Sequence, residues 1–188
     1  MTPAAPAAVL VHLSSRRARW QDDGMTFALR VPEPRDAAEI AALHVATWRE
    51  TYTHLLPAGF FDDEFVQGRR SMWTRILDNP RDEWRVWIAE SEGRIIGFAT
   101  SGPGLEFEGA APPRERQLYM LYVAAADHGG GAGQALLDAV LEEGPAVLWV
   151  AKENPRAIAF YRRNGFEFDG AEQTDPMVPT IIDVRMLR

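Results

Sequence analysis

Residues 118–137 read LYMLYVAAADHGGGAGQALL. Their first part belongs to the run 117–123, which is almost continuously apolar, as in a strand buried on both faces of a sheet. A helix pattern ends the stretch, with apolar side chains at Leu136, Leu137, Val140 and Leu141 on one face. Glycines in between let backbone N–H groups turn inward, and a helix start adds partial positive charge. The stretch therefore predicts a backbone-built anion site between a central strand and a helix.

The spacing of these glycines excludes two common phosphate loops. A P-loop requires Lys and then Ser or Thr after its last glycine, but Gly133 is followed by Gln134 and Ala135. A dinucleotide fingerprint requires Gly-x-Gly-x-x-Gly after an early strand, whereas the glycines here are spaced by two and come late. A flexible connector without a ligand is the remaining alternative. The direct junction of two apolar elements disfavours it.

Composition narrows the class of protein. The chain has 188 residues and a net charge of −7, which suits one domain and disfavours nucleic acid or an anionic membrane as a partner. It has no Cys, so disulfides, cysteine-ligated metals and a thiol nucleophile are excluded. The histidines show no metal-binding spacing, and we expect no metal. No apolar run is long enough to span a membrane, so we expect a cytoplasmic protein.

The first residues differ from the rest of the chain. Residues 1–24 are rich in Ala and Pro and then polar, without periodicity or the order of a signal peptide. We predict a poorly ordered tail over 1–24 and one domain over 25–188.

Periodicity and turn residues place the remaining elements. Before the glycine turn we predict a strand at 27–31, a helix from Asp36, helical segments at 62–64 and 72–77, strands at 85–90 and 95–101, and a solvated acidic loop at 102–113 with Glu106 and Glu108. After it we predict a helix at 132–143, a strand at 146–150, a helix at 155–164 and strands at 166–168 and 181–186. Strands alternating with helices imply a parallel step, and the early hairpin implies a mixed sheet.

Residues 154–166 read NPRAIAFYRRNGF. This segment resembles the Asn-x-x-Ala-x-x-Phe-Tyr-x-x-x-Gly-Phe pattern of the GNAT superfamily of N-acetyltransferases, with every fixed residue present. The glycine turn resembles the family's Gln/Arg-x-x-Gly-x-Gly/Ala signature, read here from His128 through Gly131 to Gly133. Residues 30–52 are similar to the family's first strand and helix. The resemblance covers about residues 27 to 188.

The resemblance implies an α/β GNAT fold, with a mixed, mostly antiparallel sheet and a splayed parallel strand pair flanked by helices. It implies acetyl-CoA as cosubstrate and direct attack of an amine on the thioester. The implied cofactor-binding residues are Leu121, Tyr122, Val123, His128, Gly129, Gly130, Gly131, Ala132, Gly133, Gln134 and Asn154. Tyr161 is the implied catalytic acid, and a backbone N–H of the fourth strand is the implied oxyanion donor. Trp48, Tyr52 and Gln117 are the implied substrate-binding residues, with Glu50 as a further candidate.

Two residues depart from the family pattern. His128 stands where Gln or Arg is usual, which is tolerable if the contacts there are main-chain. Gln117 stands where Glu often supplies a general base through water, so the base is unassigned. A small-molecule amine is the favoured acceptor, with a protein or peptide amine or a non-enzymatic acyl-CoA-binding module as alternatives. The oligomeric state, with a homodimer as one option, is left open.

Overall fold

The computed structural model describes residues 26–175 and 178–188, so the predicted tail lies outside the described residues. The strands are β1 (Ala28–Arg30), β2 (Arg85–Ser91), β3 (Arg94–Pro103), β4 (Arg116–Val123), β5 (Val147–Ala151), β6 (Glu167–Thr174) and β7 (Ile182–Leu187). The α-helices are α1 (Ala37–Tyr52), α2 (Asp63–Asp78), α3 (Ala132–Leu141) and α4 (Pro155–Arg163). None of the helices in the described part of the chain is both long and apolar enough to cross a membrane.

The strands form one mixed sheet in the order β1-β2-β3-β4-β5-β7-β6. Among the described strands, β4 and β5 are the parallel neighbours, and the other pairs are antiparallel. The parallel pair is joined only at Gln117 with Val147 and Leu118 with Leu148, after which the two strands separate. The predicted mixed sheet with a splayed parallel pair is therefore confirmed.

The sheet separates two apolar layers. On one face, α1 and α2 pack Ile40 and Trp73 against Ile88 and Phe98. On the other face, α3 packs Leu136 with strand residues that include Ala89 and Ala99, at the alternation expected of a sheet buried on both sides. A smaller cluster joins the end of α1 to β5, with Trp48 and Ala151 at its centre. These layers fix both helix pairs relative to the opening between β4 and β5.

Several element boundaries differ from the sequence prediction. The helical segments at 62–64 and 72–77 are one helix, α2, since the Asp62 side chain accepts the Phe65 N–H and the helix then continues through Gly68. Helix α3 ends at Leu141 because Glu142 has a φ of 56°. The last helix begins as predicted, with Asn154 as its N-cap and Pro155 in its first turn.

Candidate active site

A cavity of about 840 Å³ opens where β4 and β5 separate. One part of its wall comes from the end of β4, the glycine turn and α4. The other part comes from α1, Arg69 of α2, Asp175, Ile181 and Asp183. Tyr161 and Asn154 line the cavity as well. The cavity thus connects the glycine turn with the end of α1.

The glycine turn presents unbonded backbone donors to this cavity. Gly129 and Gly131 have φ values of 85° and 87°, a left-handed conformation that a residue with a side chain adopts at a cost. The Ala135 N–H donates to the Gly131 carbonyl at 3.0 Å, so the first-turn amides of α3 before it have no helical acceptor. This geometry is what the predicted backbone-built anion site requires.

His128 connects the end of β4 to α4. Arg156 contacts its Nδ1, and because a guanidinium only donates, Nδ1 accepts. Nε2 therefore carries the hydrogen and donates to the Val123 carbonyl at 2.8 Å. The ring thus holds the Arg156 guanidinium beside the glycine turn, a role that the main-chain interpretation of His128 did not include.

The charges near the glycine turn suit an anion. Arg156 and Arg163 both line the cavity, and sequence reasoning identified neither. They lie seven positions apart on α4, which places them on one helix face. Asp127 also lines the cavity, but Arg94 pairs with its carboxylate at 3.1 Å.

The side chains of Asn154 and Gln134 form hydrogen bonds to other groups of the protein. The Asn154 Oδ1 accepts the Ala157 N–H at 3.0 Å. The Gln134 amide donates to Asp138 and to Asn164 at 2.9 and 2.7 Å. Gln134 can therefore offer its backbone N–H to a ligand, whereas the Asn154 side chain also hydrogen-bonds Tyr52.

Tyr161 is only 7% exposed, and its ring contacts those of Phe160 and Phe166. Burial and the nearby Tyr52 raise the pKa of its hydroxyl, which therefore stays protonated far above neutral pH. The residue lines the cavity, so its hydroxyl can face a ligand there. It is a proton donor available to a ligand.

Aromatic side chains form the other part of the wall. The Trp48 Nε1 donates to the Tyr122 hydroxyl at 3.0 Å, and the Arg69 guanidinium lies over the Trp48 ring. Burial raises the pKa of Tyr52, and the Asn154 side chain partly offsets that rise. His44 is buried, accepts from Trp73, and has its pKa lowered to about 3 by burial, so it is a neutral core residue.

Carboxylates lie beside these aromatic rings. Glu50, Asp175 and Asp183 line the cavity, and sequence reasoning missed both aspartates. Burial is the largest cause that raises the pKa of Asp183 to about 6, and the charges of Asp175 and Glu153 add to it. A carboxyl group with that pKa exchanges protons near neutral pH.

The structure does not bring Gln117 to the cavity. It lies at the paired end of the splay, where its Oε1 accepts the Leu105 N–H at 3.3 Å. Gln117 lies five positions before Tyr122 on β4, about 17 Å along the strand. Gly130 also lies outside the lining residues, as do Glu106 and Glu108. In the described chain, no group of three or more His, Cys, Asp or Glu side chains is placed to hold a metal ion.

Three features fit acetyl-CoA. The first-turn amides of α3 and the nearby arginines suit its phosphates, and the exposed edge of β4 beyond Leu118 offers backbone groups to its pantetheine amides. The Tyr161 hydroxyl is free to face the thioester sulfur.

Comparisons with known proteins agree with this geometry. The family model described as Acetyltransferase (GNAT) family matches residues 36–166. A Mycobacterium tuberculosis protein named probable N-acetyltransferase Rv2775 is 32% identical over 148 residues, which cover 76% of this chain and 80% of that protein. An uncharacterized N-acetyltransferase of Bacillus subtilis is 30% identical, covering 71% and 76% of the two chains.

Solved structures share the fold. The PaiA N-acetyltransferase of Thermoplasma acidophilum, in complex with coenzyme A, aligns with a TM-score of 0.63 at 16% identity, covering 86% of this chain and 98% of that one. A ribosomal-protein-alanine N-acetyltransferase of Brucella melitensis aligns with a TM-score of 0.63 at 26% identity, covering 85% and 98%.

Proposed function

The chain belongs to the acetyltransferase (GNAT) family and is an acetyl-CoA-dependent N-acetyltransferase, and from this premise we propose that it acetylates the primary amine of a small molecule by direct attack. The observation that carries the proposal is the charge arrangement along one cavity. The glycine turn and α4 bring free helix amides and arginines to the cavity, while α1, β7 and the residue that follows β6 bring aromatic rings and carboxylates to it. An anionic cosubstrate suits the first set of residues and a cationic acceptor the second.

The glycine turn and α4 supply the cosubstrate side. The backbone amides of Gly129 and of 131–134, in the glycine turn and the first turn of α3, hold the pyrophosphate, and His128 holds Arg156 beside them. The backbone of β4 from Leu121 to Val123 pairs with the pantetheine arm in the place that β5 leaves open. The Asn154 amide nitrogen, whose oxygen is used as the helix cap, faces the same arm.

Acetyl-CoA supplies an acetyl group on a good leaving thiol, so the chain itself needs no nucleophile. A backbone N–H of β4 stabilises the negative charge that develops on the carbonyl oxygen. Tyr161 gives its proton to the departing sulfur, a role that suits a hydroxyl in the cavity wall that is protonated at neutral pH. Trp48 and Tyr52 enclose the acceptor.

A peptide amino terminus is the second candidate acceptor. The Brucella melitensis relative, 26% identical, is named for action on an alanine of a ribosomal protein. The acceptor wall here has buried aromatic rings and a half-buried carboxylate, which favour a compact cation over an extended chain. Membership of the enzyme family argues against the third alternative, a binding module without catalysis.

An amine panel tests this proposal. We expect 2-phenylethylamine or 1,4-diaminobutane to be acetylated with a kcat/KM at least about tenfold above that of an alanyl tripeptide with a free amino terminus, a difference of about 1.4 kcal/mol. Release of free thiol from acetyl-CoA measures the rate, and mass spectrometry identifies the acetylated product. A preference for the tripeptide would establish the peptide alternative. If none of the amines is acetylated, the proposed acceptor class is wrong.

Acetyl-CoA should also stabilise the fold, because its binding site exists only in the folded protein. At a free concentration of about 100 Kd, linkage gives about 2.7 kcal/mol. For a domain of this size that corresponds to a rise of roughly 5–10 °C in Tm. Thermal unfolding followed by circular dichroism measures it, with ATP and NADH at equal concentration as controls. An equal rise with ATP would show that the phosphates alone are recognised.

A further inference from the structure

Asp183 occupies a position in the sheet that places it beside the opening. Leu118 is level with Leu148, so Leu121 is level with Ala151, from which the splay separates it. Ala151 pairs in turn with Asp183 of β7. Paired residues point to the same face of a sheet, and Ala151 packs in the cluster around Trp48. The Asp183 side chain therefore lies on the α1 face, where it lines the cavity.

We propose that Asp183 is the proton acceptor for the amine substrate, taking the proton that leaves the acceptor's ammonium group before the nitrogen attacks. The inference rests on the proposed function and fills the role that Gln117 does not. A second feature of the same cavity suits a ligand there, because Tyr161, a largely buried residue with a polar hydroxyl, also lines the cavity. The aspartate and the tyrosine would act on the two sides of the reacting carbonyl.

Asp183 and Tyr161 together account for every proton that moves in the reaction. Asp183 takes one proton from R–NH₃⁺ and later releases it to water. The neutral nitrogen forms a bond to the acetyl carbon, the carbon–sulfur bond breaks, and Tyr161 gives its proton to the sulfur. The second nitrogen proton returns to Tyr161. The products are the amide, the free thiol and one released proton.

The surroundings of Asp183 suit this role. Tyr52 faces it from α1, Glu153 from the end of β5, and Asp175 from the end of β6. Arg69 of α2 is near Asp175. Two cations close to Asp183 along the strands are paired elsewhere: Lys152, just after β5, pairs with Glu172, and Arg185 of β7 pairs with Asp169, each at 2.7 Å. With its pKa raised to about 6, Asp183 is ionised at neutral pH and still a useful base.

The pH dependence of Asp183→Asn tests the assignment. We expect kcat/KM with the best amine of the panel to fall about 30-fold at neutral pH, with water partly replacing the carboxylate. In the pH profile of kcat/KM, the fall in activity below about pH 6 (the acid limb) should disappear. The Kd for acetyl-CoA should stay unchanged. Asp175→Asn keeps the oxygen that binds the Val178 N–H but removes a neighbouring charge, so it should move the acid limb to lower pH. Glu172→Gln, outside the cavity, is the matched control.

A second readout does not depend on turnover. The folded protein holds the Asp183 proton to a higher pH than the unfolded chain does, so this group's stabilising contribution is present below about pH 3.8 and is lost by about pH 6. Asp183→Asn should therefore raise Tm at neutral pH and flatten the loss of Tm between those values, whereas Glu172→Gln should not.

The outcomes separate the two proposals. An unaltered acid limb in an active Asp183→Asn variant would overturn this inference alone, as would an unchanged pH dependence of Tm. A wild-type protein that acetylates none of the amines would overturn the proposed function itself.

Discussion

Replacing Tyr161 with Phe should lower kcat by roughly 10²-fold and leave the Kd for acetyl-CoA almost unchanged, at the low end of the usual contribution of a general acid. The ring keeps its contacts with Phe160 and Phe166, so only the hydroxyl is removed. The effect is at the low end because thiolates leave readily, with a thiol pKa of about 8.5 for the cysteine type. Steady-state kinetics with the best amine, together with isothermal titration of CoA, measures the two quantities.

The chain offers a matched control for this variant. The Tyr119 hydroxyl donates to the Pro103 carbonyl, and Tyr119→Phe removes an equivalent group without affecting the proposed acid. Part of the lost rate in Tyr161→Phe should return with acyl donors whose leaving thiol is more acidic. A Tyr161→Phe enzyme as fast as the wild type would make Tyr161 a core residue and assign the acid to solvent.

Gly131→Glu should abolish measurable CoA binding. Near a protein surface, like charges about 4 Å apart repel by about 4 kcal/mol, which corresponds to roughly 10³-fold in Kd. Salt screening reduces this, and we expect a loss above about 10²-fold. Isothermal titration with CoA at low and high salt measures the loss and its electrostatic part.

The control for Gly131→Glu separates backbone strain from ligand repulsion. Gly59 has a φ of 83°, close to the 87° of Gly131, and open space around it. Gly59→Glu therefore carries the same charge and a similar backbone cost away from the glycine turn. It should bind CoA normally at a slightly reduced Tm. Normal CoA binding by Gly131→Glu would refute a diphosphate site on this turn.

Sequence analysis predicts correctly those elements of the fold that depend on a few adjacent residues. The run 117–123, the glycine turn and the Asn154–Pro155 helix start each carry their signal within a few adjacent residues, and the structure has all of them. The continuity of α2 through Gly68 and the early end of α3 at Glu142 depend on packing and on one backbone angle. Such features have only a weak local signal.

The part of the cavity wall that we assign to the amine acceptor was predicted less completely, because its residues meet only through the strand order of the sheet. Asp183 alternates with apolar residues of β7, as Arg185 does, so the sequence marks it only as a polar residue of an ordinary half-buried strand. Its nearness to Tyr52, however, follows from β7 inserting between β5 and β6, an order that the sequence does not state. Gln117 was assigned to the substrate because it begins β4, but the register joins β4 to β5 at that end.

The narrow junction between β4 and β5 also has a mechanical meaning. Two residue pairs connect a half-sheet of four strands to one of three, which is the least extensive strand pairing among the described neighbours. A molecule in the gap would contact both halves, and we expect it to hold them together. We therefore expect the residence time of CoA to depend on how readily the two halves separate at Val147 and Leu148.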